Sequence, residues 1–183
     1  MFDIKSFLIR PGMKIADLEN ANKYPEKFFI ALEDSGEIMK YKKKFDFDHL
    51  DGVIIIKFRN EYIMDFTFWD LIYHVWIDFI DLIINFENKA SSESFFPDQP
   101  LKMSLKPITH NVLRFELGDN EWRLPKKEFF LSLLDSAKFF FEKMIEYFPE
   151  SRNRFSVGLD KLAVVALLLS LANNPSGDKS AEN

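Results

Sequence analysis

Cysteine is absent from all 183 residues. Disulfides, Cys-ligated zinc, iron–sulfur clusters and thiol nucleophiles are therefore excluded together, and a reducing compartment is the expected setting. Glycine is scarce too: six residues, none clustered, so there is no glycine-rich phosphate loop. No Ser stands in a Gly-x-Ser-x-Gly setting. Long uncharged apolar runs are also missing. The stretch 68–84 is interrupted by Asp70, His74, Asp78 and Asp81. The stretch 162–172 is roughly half the ~20 residues that a membrane span needs. At the N-terminus Asp3 precedes a short apolar stretch, and no small-residue cleavage site follows, which argues against a secretory signal. The expectation is a cytoplasmic protein without a membrane segment.

What is abundant is phenylalanine, with 21 residues. Each buries a large area, so one core can be well supplied. The length suits one domain, expected over 1–174, with 175–183 as a disordered polar tail. Net charge is −5, unevenly spread. Residues 61–98 carry only Lys89 against Glu61, Asp65, Asp70, Asp78, Asp81, Glu87, Glu93 and Asp98, a net of −7. An acidic surface there disfavours nucleic acid as a ligand and favours a basic protein partner.

The pattern of residues predicts an α+β fold: an antiparallel sheet of about five or six strands, with two long aromatic-rich helices and a C-terminal apolar helix on one face. Pro25 can open a short helix through Glu33. Residues 37–45 alternate Met39, Tyr41 and Phe45 with Lys40, Lys42 and Lys44, which predicts a strand whose lysines protect an edge. Val53–Phe58 is β-branched and pairs through Arg59-Asn60 with Glu61–Met64. A helix is expected over 68–87, with Thr67 and Asp70 at capping-box spacing. Residues 88–100 should be a loop, mobile at first and stiffened later by Pro97 and Pro100. Strands are expected near 101–106, 113–117 and 121–124, then a helix from Pro125 to about Phe148. A last helix runs over 157–172 with Ser156 as its N-cap. Being apolar nearly all round, it should pack inside. Trp76, on the apolar arc of the first long helix, is expected in the core.

Few constellations could carry chemistry. Asp46-Phe47-Asp48-His49-Leu50-Asp51-Gly52 has calcium-loop flavour, but Leu50 occupies a ligand position, and a polar turn is the better reading. Asp70, His74 and Asp78 stand at i, i+4 and i+8, which allows a metal or acid–base reading. On a straight helix, however, they span about 12 Å, and a solvated stripe continuing through Asp81 and Asn85 is favoured. Asp98 and Gln99, between two prolines, suit either a contact loop or a plain strand entry.

Three segments carry a resemblance: Asp70-Leu71-Ile72-Tyr73-His74-Val75-Trp76, Phe96-Pro97-Asp98-Gln99-Pro100, and Glu128-Phe129-Phe130 opening a long aromatic helix. With small size, acidity and lack of Cys, the chain over roughly 50–165 resembles uncharacterised small bacterial cytosolic proteins of the kind that include immunity proteins of polymorphic toxin systems. The resemblance implies a binding protein that neutralises a toxin domain, and no catalytic residues carry over. The expected function is thus an immunity or inhibitor module that masks a basic toxin, such as a nuclease. Its expected partner-binding residues are Asp70, His74, Asp78, Asp81, Asp98 and Gln99, with no catalytic residues, metal or cofactor. Two alternatives stay open: a small-ligand or metal-dependent enzyme using Asp70, His74 and Asp78, and a structural or regulatory subunit.

Overall fold

The structure is a computed structural model and describes residues 1–173. The expected tail, 175–183, lies outside the described residues. The class is α+β, as the pattern predicts. Among the described residues, nine strands form two antiparallel sheets rather than one.

The first sheet takes β1 (Phe2–Ile9), β2 (Phe29–Ala31), β3 (Asp51–Phe58), β4 (Glu61–Met64) and β5 (Asp70–Leu71), in the order β2-β1-β3-β4, with β5 also on β3. Between β1 and β3 lie three short helices: α1 (Leu18–Lys23), α2 (Pro25–Phe28) and α3 (Ser35–Tyr41). The helix α4 (Ile72–Lys89) then leads into the second sheet, β6 (Ser92–Phe95), β7 (Lys102–Pro107), β8 (Val112–Leu117) and β9 (Asn120–Pro125), paired in that order. Two 22-residue helices, α5 (Lys126–Tyr147) and α6 (Arg152–Asn173), follow.

β3 explains why its sequence is apolar without alternation. Ile54 and Ile56 join the main core, while Val53 and Ile55 face a smaller cluster with Ala21, Phe28, Phe29 and Phe66. A strand buried on both faces reads as a continuous apolar run. The first sheet therefore has a second, smaller cover beyond the long helices. Its turn to β4 places Arg59 and Asn60 at φ of 51° and 69°, the conformation of a two-residue hairpin matched to strand twist. β1 pairs with β3 from Phe2↔Phe58 to Leu8↔Gly52. At Gly52 an added Cβ would stand 2.4 Å from the carbonyl oxygen of Phe7, so only glycine admits this approach of strands. Trp76 is fully buried, as expected.

Several local expectations give way to stronger signals. Residues 37–45 are no strand: Asp34 accepts a hydrogen bond from Glu37 N at 2.9 Å and caps α3, and Lys42–Lys44 form a single 3₁₀ turn. The cap prevails over the lysine alternation. The helix from Pro25 stops at Phe28 because the chain crosses to pair with β1 as β2. The first long helix starts at Ile72, not 68. Asp65 accepts from both the N–H and the hydroxyl of Thr67 (2.9 and 2.6 Å), and Asp70 is drawn into β5 opposite Gly52. The polar stretch expected to be mobile contains an edge strand, β6, tied back by Ser92 Oγ to the carbonyl of Leu82 at 2.7 Å.

Ser156 is not an N-cap. α6 begins at Arg152, and Ser156 donates to that residue's carbonyl at 2.8 Å. Nor is α6 enclosed. Its inner face buries Phe155 and Val165 and brings Gly158 against the ring of Phe141, but Val164 and Leu167 are exposed, Leu167 by 61%. Only one side of the helix reaches α4 and α5.

Candidate partner-binding site

The structure divides the expected acidic stripe. Because α4 begins at Ile72, Asp70 is not on the helix, so the i, i+4, i+8 ladder does not form. Asp70 is 2% exposed. Its Oδ1 accepts from Leu71 N at 2.6 Å and from Asp98 N at 3.2 Å, and its Oδ2 lies 3.3 Å from the same Asp98 N. Buried in this way, it holds the 96–101 loop from beneath. Burial pushes its carboxyl above the usual carboxylate range, and the N–H donors oppose that shift.

His74 is exposed and stands edge-on to Tyr73, with centroids 5.1 Å apart. Asp78 is half-buried, accepts from Ser94 Oγ at 3.2 Å, and is pushed upward chiefly by desolvation. Asp81 is tied to Lys161 of α6 at 2.5 Å. Two other acids of the −7 segment are likewise answered from later in the chain: Glu87 by Lys126 at 2.8 Å and Glu93 by Lys102 at 2.5 Å. Charge uneven along the sequence is partly evened by the fold.

The loop from Phe96 to Leu101 is a closed unit. Phe96 N donates to Leu101 O at 2.9 Å, and the Phe96 ring is buried. The side-chain amide of Gln99 donates to the carbonyl of Trp69. With Asp70 on the N–H of Asp98, the loop is fastened at three points, and two prolines narrow what is left of its freedom. Outward it presents Pro97, Asp98 and Pro100, with Phe95 beside them at 55% exposure.

Two residues of this region are not among the contacts expected from sequence. Phe95 is one; strand alternation allows only one of the adjacent Phe95 and Phe96 to point inward. Asp51 is the other. It is half-buried at the start of β3 and pushed upward by desolvation first, then by Asp70 and Asp98. The electrostatic focus is thus Asp51, Asp70 and Asp98 at one end of β3, not the length of a helix. The nearby Asp46–Asp51 segment is a polar turn: Asp46 accepts from Asp48 N at 2.9 Å, and Asp48 pairs with Arg154 at 2.5 Å. Among the described residues no three His, Asp or Glu side chains converge as metal ligands would, and no helix is long and apolar enough to cross a membrane.

No family model, no curated protein and no solved structure matches this chain. Its function must be argued from the site itself.

Proposed function

We propose that the chain is a protein-binding inhibitor of the immunity type, which captures a basic effector domain, such as a nuclease toxin, through the 95–100 loop and the adjoining turn of α4. The observation that carries this reading is the fastened loop. A buried carboxylate, a side-chain amide and a buried ring secure a surface that displays a half-exposed aromatic residue, two prolines and a carboxylate. Prior ordering lowers the entropy lost on association, and exposed aromatics supply the anchors from which interfaces draw most of their affinity. Asp98, with Asp51 and Asp70 behind it, supplies negative potential for steering a basic partner. Gln99 and Asp70 act as supports in this reading, His74 and Asp78 as flanking contacts, and Asp81 as a structural ion pair.

The test is parallel affinity capture from native lysate with the wild-type chain and a Phe95→Ala/Asp98→Lys variant. A basic protein held by the first and released by the second supports the reading. Equal retention by both, or retention of acidic proteins only, overturns it.

A second reading, a subunit that assembles through α6, is favoured by one observation: the outward side of that helix carries Val157, Val164 and Leu167 in contact with solvent. Light scattering at rising protein concentration separates the two, since the inhibitor reading needs no self-association.

A further inference from the structure

At the opposite end of α4 from the loop lies a cavity of about 150 Å³, bounded by the last turn of α4, the turn before β8, the first turns of α5 and the distal half of α6. We infer that it binds a small monocarboxylate with a single-ring or branched aliphatic body.

The floor is apolar and rigid. The Phe130 ring is buried and meets Phe86 at 5.6 Å in an edge-on arrangement, and Leu131 and Leu169 complete the wall. The hollow opens to solvent past the exposed side chains of His110, Asn111, Lys127 and Leu131, and its volume is enough for one ring. The rim is polar and carries a surplus of positive charge, in a chain whose net charge is −5. Glu87, its side chain only 10% exposed, is matched by Lys126 at 2.8 Å, and the Lys126 ammonium also rides over the Phe86 and Phe130 rings at 5.4 and 5.9 Å. That pair is self-neutral. Lys127 has no ion-pair partner among the described residues, and exposed His110 and Asn111 line the same rim. An apolar floor under a rim with one unmatched ammonium group suits a ligand with an apolar body and a single negative head. A neutral isostere would forgo the attraction of the exposed Lys127 ammonium, and a cationic one would be repelled.

The experiment is titration calorimetry and thermal melting of the full chain with benzoate, isovalerate and benzamide. Benzoate or isovalerate should bind saturably and raise the melting temperature, while benzamide should not. Lys127→Gln should weaken binding about tenfold or more. Leu131→Glu, which sets a negative charge at the mouth, should abolish it. Both positions are exposed, so both variants should melt like the wild type without ligand, which separates lost binding from lost folding. Benzamide binding as tightly as benzoate, indifference to both substitutions, or no saturable binding up to about 10 mM would overturn the inference.

Discussion

Trp76 Nε1 donates a 3.1 Å hydrogen bond to Oγ of Ser6, and both side chains are buried. The bond joins α4 to the inner face of β1 across 70 residues of sequence. It accounts for a polar side chain between Ile4 and Leu8 on the inner face of β1. A buried indole N–H needs an acceptor, and a buried hydroxyl needs a partner. The indole also packs between Phe79 and Phe140, each at 6.2 Å.

Two substitutions separate these contributions. Trp76→Phe should keep most of the packing and cost about 1–3 kcal/mol, because the buried Ser6 hydroxyl loses its donor. Trp76→Ala should cost about 3–5 kcal/mol by leaving a cavity. Urea denaturation of the two variants measures both. Equal losses would mean that the hydroxyl, not the ring volume, dominates at this position.

Asp51 gives a pH signature of unusual sign. Its carboxyl is raised in the folded chain above its unfolded value of about 3.9. A raised carboxyl destabilises the fold once ionised. Its favourable contribution is complete below the unfolded pKa and is lost as pH rises through the folded one. Asp51→Asn should therefore be more stable than the wild type at pH 7, with the gap closing as pH falls toward 4. Urea midpoints of both chains across that range test this. A gap that widens on acidification would contradict the burial described for Asp51.

Asp70 acts on the 96–101 loop through its carboxylate. Asp70→Ala should free the amide of Asp98 and raise hydrogen exchange at Asp98 and Gln99, at a stability cost of about 1–3 kcal/mol. Partner affinity should fall as well, although Asp70 itself is out of reach of any partner. Unaltered exchange at Asp98 would show that Gln99 and the two prolines hold the loop unaided.

Much of the fold was legible in local pattern. The β3–β4 hairpin, β7 to β9, α5 and the burial of Trp76 follow from alternation, turn residues and helical spacing. The misreadings occur where tertiary pairing or a nearby cap decides. β1 carries Asp3, Lys5 and Ser6, which look indifferent until β3 lies beside them. Asp70 fits a helix start by spacing, yet it pairs opposite Gly52 of β3 as a strand residue, a long-range contact that spacing does not show. α6 is apolar all round, but composition cannot tell which side finds a neighbour. Of the site, Asp98 and Gln99 were visible from their prolines. The role of Asp70 was not, because its hydrogen bond spans 28 residues.

The acidic residues themselves can be ranked by what the fold leaves unmatched. Asp81 is held by Lys161 at 2.5 Å, so its field is largely cancelled at a distance. Asp98 is exposed, has no ion-pair partner among the described residues, and sits at the tip of the fastened loop. Rim charges act mainly on association rate, and salt screens them over about 10 Å at 0.1 M. Asp98→Lys should therefore slow association with a basic partner about tenfold at low salt, with a much smaller effect at 0.5 M. Asp81→Lys should slow it less, while lowering thermal stability through repulsion of Lys161. Surface-plasmon kinetics at two salt concentrations, with melts of both variants, read the contrast. If Asp81→Lys slows association as much as Asp98→Lys, the steering field arises from the helix rather than the loop, and the docking face moves to the α4–α6 side.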